Sequence, residues 1–135
     1  MLNKAPTTVR EIMSRDCYRV TGKTSISTLA QGLALHRLPG VPVVDERDHL
    51  IGFISEQDVL GKVLESSYLN EEPPLVRELM RNEVLSVSPN KSISDLAQEM
   101  RGAKPKVYPV VEQDRLVGIV TRRDVLSAVL RMRYS

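Results

Sequence analysis

Twice in this chain, a hydroxyl-bearing residue followed three positions later by an aspartate comes directly after a glycine-containing apolar run. The two copies are Ser55 with Asp58 and Thr121 with Asp124. A carboxylate accepts hydrogen bonds from both hydroxyls of a diol such as ribose, and each bond to a charged group contributes on the order of 1.5–3 kcal/mol. A hydroxyl beside the unpaired N–H groups of a helix start suits a phosphate. These residue types therefore indicate binding rather than catalysis.

The same spacing is also that of an ordinary helix N-cap. Ser92 with Asp95 shows it without a preceding glycine-bearing strand. We therefore keep two interpretations of each motif, a cap alone and a cap that also binds a ligand. The position after a strand favours the ligand interpretation, more strongly for the second motif than for the first.

The residues inside the two motifs differ in charge. The first motif contains Glu56 and Gln57, whereas the second contains Arg122 and Arg123. A cation at a helix N-terminus opposes the helix dipole, so two arginines there are easier to understand if an anion lies nearby. The alternative is that both are solvated or pair with acidic neighbours. Our hypothesis is an asymmetric protein whose second site prefers phosphorylated ligands and whose first site is weak, empty or selective for a less anionic ligand.

The elements that must position these motifs are encoded twice, since the segment 9–66 recurs as 76–132. Each copy has apolar residues at helical spacing, then two short apolar runs around a polar turn, then a second helical pattern. The runs 41–44 and 50–54, and the runs 108–111 and 116–120, predict two β-hairpins. The apolar helix positions are Ile26, Leu29, Ala30, Leu33, Val59, Leu60, Val63 and Leu64 in the first copy and Ile93, Leu96, Ala97, Met100, Val125, Leu126, Val129 and Leu130 in the second.

Local signals set the starts of two helices. Thr8 with Glu11 has the spacing of a capping box and predicts a short helix through Met13. Ser25 or Thr24 is the predicted cap of the next helix.

A polar stretch that ends in two prolines separates the copies. It predicts a linker that enters a new helix at Pro74 or Leu75. We therefore divide the chain into a first repeat at 1–66, a linker at 67–75 and a second repeat at 76–135.

Composition excludes several classes of protein. The net charge of +2 at pH 7 argues against a basic nucleic-acid-binding domain. Cys17 is the single cysteine, which excludes an internal disulfide and a multi-cysteine zinc site, and its context predicts a strand residue. His36 and His49 lie too far apart in sequence to argue for a metal site, so we expect no metal. No phosphate loop or nucleophile elbow is present, so we expect no enzymatic activity.

The hydropathy pattern bears on location. No apolar run approaches the roughly 20 residues that span a bilayer, and the first residues lack the apolar core of a signal peptide. We therefore expect a cytoplasmic protein without a membrane partner.

The paired copies closely resemble a tandem pair of CBS domains. The match rests on the Pro-Val-Val strands and on GFISEQDVL at 52–60 and GIVTRRDVL at 118–126, which agree in order and spacing over almost the whole chain. The resemblance implies an α/β (α+β) fold of two β-α-β-β-α repeats, packed sheet to sheet as a pseudo-two-fold Bateman module.

The resemblance also implies a ligand. Such modules bind adenosine-containing molecules such as AMP, ADP, ATP, S-adenosylmethionine or NAD in clefts between the copies, and they commonly form disc-like dimers. In the family, the aspartate of the motif holds the ribose hydroxyls, the Ser or Thr meets phosphate, and basic residues before the Pro-Val-Val strand often contact phosphate. Carried over to this chain, the site residues are Ser55, Asp58, Thr121, Arg122, Arg123, Asp124, Arg37 and Lys104, together with Lys106.

The expected function is regulatory. We expect a sensor of an adenosine ligand, with AMP, ADP or ATP favoured, that forms a homodimer and acts on a separate, unidentified protein by shifting a conformational equilibrium. The alternative is a ligand-free structural or protein-interaction module. A nucleic-acid binder would need a clustered basic surface, which the sequence does not indicate.

Overall fold

Helices and strands alternate largely as the repeat predicts. The computed structural model describes residues 5–69 and 74–134. In chain order, the elements are a 3-10 helix at Val9–Glu11, β1 at Val20–Thr21, α1 at Ile26–His36, β2 at Gly40–Val44, β3 at Leu50–Ser55, α2 at Glu56–Leu69, α3 at Val76–Leu79, α4 at Ile93–Glu99, β4 at Val107–Glu112, β5 at Arg115–Thr121 and α5 at Arg122–Tyr134.

The first repeat has the predicted β-α-β-β-α order. β1 pairs in parallel with β2, and β2 pairs antiparallel with β3, so the hairpin prediction is confirmed. Ser25 is the cap of α1, because its hydroxyl accepts a hydrogen bond from the Thr28 N–H at 3.1 Å. Leu29 and Leu33 on the predicted apolar face are buried, but Ala30 is exposed.

The second repeat has a smaller sheet. β4 and β5 form the predicted hairpin, and its one-residue shortening falls in a tight turn where Gln113 and Asp114 both have positive φ. The equivalent of β1 is reduced to a single parallel bridge between Val87 and Val110. Pro89 follows that bridge and has no N–H to extend the ladder. Cys17 is half-buried and lies outside the strands, so its predicted strand position is wrong.

The last helix of each repeat buries only part of its predicted apolar face. Val59 of α2 and Val125 of α5 are buried in the two cores. The leucines of the same patterns are exposed instead, with Leu60 at 62%, Leu64 at 59%, Leu126 at 58% and Leu130 at 48% of their full accessible area.

The compact units of the structure do not coincide with the repeats. One unit is Tyr18–Val84, here called the Asp58 unit, and the other combines residues 5–17 with 85–134, here called the Asp124 unit. The first residues of each repeat therefore belong to the unit that contains the hairpin of the other repeat. α2 also runs three residues into the predicted linker 67–75, of which residues 70–73 lie outside the described part of the chain.

Hydrogen bonds and core contacts hold these exchanged segments, residues 5–17 of the first repeat and 76–84 of the second, in place. Val9 is fully buried in the core of the Asp124 unit, and its N–H donates to the Lys91 carbonyl at 2.9 Å. Val76 is fully buried in the core of the Asp58 unit, and its N–H donates to the Thr24 carbonyl at 2.8 Å. The predicted helix after Thr8 therefore exists, as a 3-10 turn ending at Glu11, and it packs against the second repeat.

Glycines allow the exchanged segments to approach the hairpins. A Cβ atom on Gly118 would lie 2.7 Å from the Ser14 carbonyl oxygen, and one on Gly52 would lie 2.9 Å from the Arg81 carbonyl oxygen. Both distances are shorter than a real Cβ contact, so each strand needs a glycine where the segment crosses it. The glycine before each Ser/Thr-x-x-Asp motif thus has a structural role.

Candidate functional site

The first motif forms a reciprocal cap where β3 passes into α2. Asp58 Oδ2 accepts hydrogen bonds from the Ser55 N–H at 3.0 Å and from the Ser55 hydroxyl at 2.8 Å. In return, the Asp58 N–H donates to Ser55 Oγ at 3.2 Å. The arrangement satisfies donors that the start of α2 leaves unpaired.

The second motif repeats this geometry where β5 passes into α5. Asp124 Oδ2 accepts from the Thr121 N–H at 2.9 Å, and the Asp124 N–H donates to Thr121 Oγ1 at 3.1 Å. Both motifs are therefore helix caps. A ligand at either motif must therefore use the donor and acceptor positions that the cap leaves open.

A cation that the sequence interpretation missed lies beside the first motif. Arg81 Nη2 is 3.3 Å from Asp58 Oδ1. Burial opposes ionisation of Asp58, but the hydrogen bonds from Ser55 and the contact with Arg81 outweigh it, so the pKa of this carboxyl lies below its ordinary value. In the aligned repeats Arg81 corresponds to Ser14, and this difference is the sequence signal that could have identified it.

The Arg122 guanidinium bonds to a backbone carbonyl oxygen rather than to an acidic side chain. Its Nη2 donates to the Lys104 carbonyl oxygen at 3.0 Å, and its backbone N–H donates to the Lys106 carbonyl oxygen at 2.9 Å. The guanidinium thus ties the loop before β4 to the start of α5. In the first motif, the Glu56 N–H makes the equivalent backbone bond to the Pro39 carbonyl oxygen at 2.8 Å.

The same bonds place the predicted basic residues relative to the second motif. The bonds from Arg122 bring the backbone of Lys104 and Lys106 to the start of α5. The side chains of Arg123 and Lys104 are exposed, and neither forms an ion pair with any residue in the ranges 5–69 and 74–134. Arg123 is two residues from Thr121, whereas for Lys104 these bonds place only the backbone.

Arg37 lies at the end of α1 in the Asp58 unit. It has a left-handed backbone with φ 54°, and its N–H donates to the Ala34 carbonyl oxygen, so it closes the helix. Its side chain is exposed and makes no hydrogen bond or ion pair with Ser55 or Asp58 in the described structure.

Two features are absent from the described residues 5–69 and 74–134. Within these ranges, no helix combines the length and apolar character needed to cross a bilayer. No group of three or more His, Cys, Asp or Glu side chains is gathered so that it could hold a metal ion.

Curated relatives and solved structures resemble the chain over most of its length. Hypoxic response protein 1 of Mycobacterium tuberculosis is 29% identical over 119 residues, which cover 88% of this chain and 82% of that protein. The CBS domain-containing protein YhcV of Bacillus subtilis is 29% identical over 117 residues, which cover 87% and 81%.

Several of the similar structures are complexes with adenosine compounds. CBSX2, a CBS-pair protein from Arabidopsis thaliana, was solved in complex with AMP and superposes with a TM-score of 0.82 at 27% identity, covering 95% of this chain and 99% of the other. The CBS domain pair of protein MJ0100, in complex with 5-methylthioadenosine and S-adenosyl-L-methionine, gives a TM-score of 0.75 at 27% identity, covering 91% and 99%.

These likenesses confirm the predicted mixed fold of two α+β repeats. The family model of the CBS domain matches residues 9–65 and 76–131, which together make up most of the chain. The chain therefore belongs to the CBS-domain family and carries two copies of that domain.

Proposed function

We propose that this chain is a regulatory module that binds an adenosine-containing ligand at the Thr121–Asp124 motif. The observation that carries the proposal is how few acceptor positions of the Asp124 carboxylate are occupied. Among the described residues its carboxylate accepts a single hydrogen bond, at Oδ2, so Oδ1 is open to a ligand. The AMP complex of CBSX2 and the complexes of the MJ0100 domain pair support an adenosine compound as that ligand.

Ribose recognition follows from the acceptor capacity of Asp124. An ionised carboxylate accepts about four hydrogen bonds, and the cap uses one. Two ribose hydroxyls can therefore donate to Asp124 without breaking the cap. Bonds of this charged type contribute on the order of 1.5–3 kcal/mol each.

Phosphate recognition depends on the cations and the hydroxyl around the same motif. The exposed side chains of Arg123 and Lys104 make no ion pairs among the described residues, and the Thr121 hydroxyl hydrogen is not used by the cap. These groups favour AMP, ADP or ATP over an uncharged nucleoside. The first motif has Glu56 in the place of Arg122, so it favours a less anionic ligand.

Regulation would follow from differential binding. A ligand that binds one conformation more tightly shifts the population towards that conformation, and the shift is passed to a partner protein or to a second copy. The exposed leucines of α2 and α5 offer apolar surface for a homodimer. We infer binding without catalysis, in line with the stand-alone CBS-domain relatives.

Calorimetric titration of AMP into the purified chain tests the proposal. Asp124→Asn keeps the shape of the side chain and one acceptor oxygen but removes the charge, and it is expected to weaken AMP binding about ten- to a hundredfold. The matched control is Asp95→Asn, because Asp95 has the same position after the Ser92 cap of α4 and is not expected to contact the ligand.

Native mass spectrometry of the freshly purified chain adds the identity of any retained adenosine compound. If no AMP, ADP, ATP or S-adenosylmethionine binds, or if Asp124→Asn and Asp95→Asn behave alike, the proposal is refuted. The first of these results would favour the ligand-free interaction module.

A further inference from the structure

The two motifs differ in how much of their aspartate is already occupied. The Asp58 carboxylate accepts three hydrogen bonds, from the Ser55 N–H, the Ser55 hydroxyl and Arg81 Nη2. Within the described residues, the Asp124 carboxylate accepts one, from the Thr121 N–H. Since a carboxylate offers about four acceptor positions, Asp124 keeps about three for a ligand and Asp58 about one.

Arg81 reaches Asp58 because of where the exchanged segment docks. Arg81 and Phe53 exchange two backbone hydrogen bonds of 2.8 and 3.0 Å. Ser14 and Ile119 exchange the equivalent bonds, of 2.9 and 3.0 Å, in the other unit. Arg81 and Ser14 therefore occupy corresponding places beside the two motifs, and a serine brings no cation to its aspartate.

We propose that Arg81 biases adenosine binding towards the Asp124 motif, because it occupies an acceptor position of Asp58 that a ribose diol would use. The inference rests on the proposed function, because it explains a difference between its two candidate sites. A ribose that uses both oxygens of Asp58 must displace Arg81 from Oδ1 and compete with the Ser55 hydroxyl at Oδ2. No such displacement is needed at Asp124.

The exposure of the ion pair sets the size of the effect. The side chain of Arg81 is 65% exposed and that of Asp58 is 19% exposed, so solvent screens the pair. Exposed pairs of this kind shift an equilibrium by about 1.4- to 5-fold. Arg81 is therefore a modest barrier, which acts in addition to the Ser55 hydroxyl.

Adenosine is the appropriate probe, because it carries the ribose diol and no phosphate that Arg81 could attract. The Asp124→Asn chain isolates the first motif. In that background Arg81→Ser, which installs the residue found at position 14, is expected to tighten adenosine binding by about 1.4- to 5-fold in a calorimetric titration. Arg77→Ser on α3 of the same unit also removes one exposed positive charge and is expected to leave the affinity unchanged.

The reciprocal variant tests the same rule at the other motif. Ser14→Arg in the otherwise unchanged chain is expected to weaken adenosine binding at Asp124 by a similar factor. Circular dichroism establishes that each variant is folded before titration.

Unchanged, weaker or undetectable adenosine binding after Arg81→Ser would overturn the role of Arg81, and so would equal tightening by Arg77→Ser. The proposed function survives those results if AMP still binds the unchanged chain in an Asp124-dependent manner. If AMP does not bind the unchanged chain, the proposed function itself fails, and the inference about Arg81 fails with it.

Discussion

Replacement of Gly118 by alanine is expected to destabilise the folded chain by about 1–3 kcal/mol, the usual cost of overpacking. The new Cβ would lie 2.7 Å from the Ser14 carbonyl oxygen and 3.3 Å from Met13 Sδ. The methionine side chain can move aside, but the Ser14 oxygen accepts the Ile119 N–H at 3.0 Å. The backbone therefore cannot retreat without lengthening a hydrogen bond that joins the exchanged segment to β5.

Urea unfolding followed by circular dichroism measures this effect. With an m-value of about 2 kcal/mol/M, the midpoint is expected to fall by about 0.5–1.5 M. Gly61→Ala in α2 is the matched control, because its Cβ would meet nothing within 4 Å. That control is expected to be neutral or to stabilise the chain by about 0.5–1 kcal/mol, since alanine favours a helix. A midpoint for Gly118→Ala equal to or above that of the unchanged chain would refute the close docking of residues 13–14 on β5.

Two further predictions concern acid stability and assembly. Because the pKa of Asp58 is lowered by folding, its contribution to stability is present above about pH 3.9 and is lost as the pH falls through the lower folded value. Urea midpoints of Asp58→Asn should therefore depend less on pH below about pH 4 than those of the unchanged chain, and equal slopes would contradict this assignment. Leu130→Glu on the exposed side of α5 is expected to convert a homodimer into monomers in light-scattering chromatography, whereas Leu35→Glu on α1 is expected to leave the dimer intact. An unchanged mass for Leu130→Glu would exclude this side of α5 from the dimer interface.

Local patterns predicted the hairpins and caps because those elements depend on neighbouring residues. The alternation around the turn at 45–49 and the Ser25 cap are both readable within a few positions. The exchange of starting segments was not predictable in this way. Residues 9–13 and 76–80 carry nearly the same apolar pattern, so the pattern alone does not say which of the two cores each segment enters.

The candidate site was predictable only in part, because some of its contacts are local in sequence and others are not. The Ser/Thr-x-x-Asp motifs are local and stand at the predicted strand ends. The contact of Arg81 with Asp58 joins residues of different repeats, and the bond from Arg122 to the Lys104 carbonyl is made to a backbone atom that carries no residue-type signal. Contacts of these two kinds can be identified only from the folded structure.

The exchange of starting segments also gives the chain an order of assembly on the ribosome. The Asp58 unit is continuous from Tyr18 to Val84, so its residues have all been made before residues 85–134 exist. The Asp124 unit needs two segments that are far apart in sequence, because the N–H of Val9 donates to the Lys91 carbonyl oxygen and the Val9 side chain belongs to the same buried core as Ile93 and Leu96. Domains generally fold as units, starting from the N-terminus during synthesis. Residues 5–17 therefore have no core to pack against until the segment 85–134 has been made, and we expect Val9 to stay exposed to water for that period.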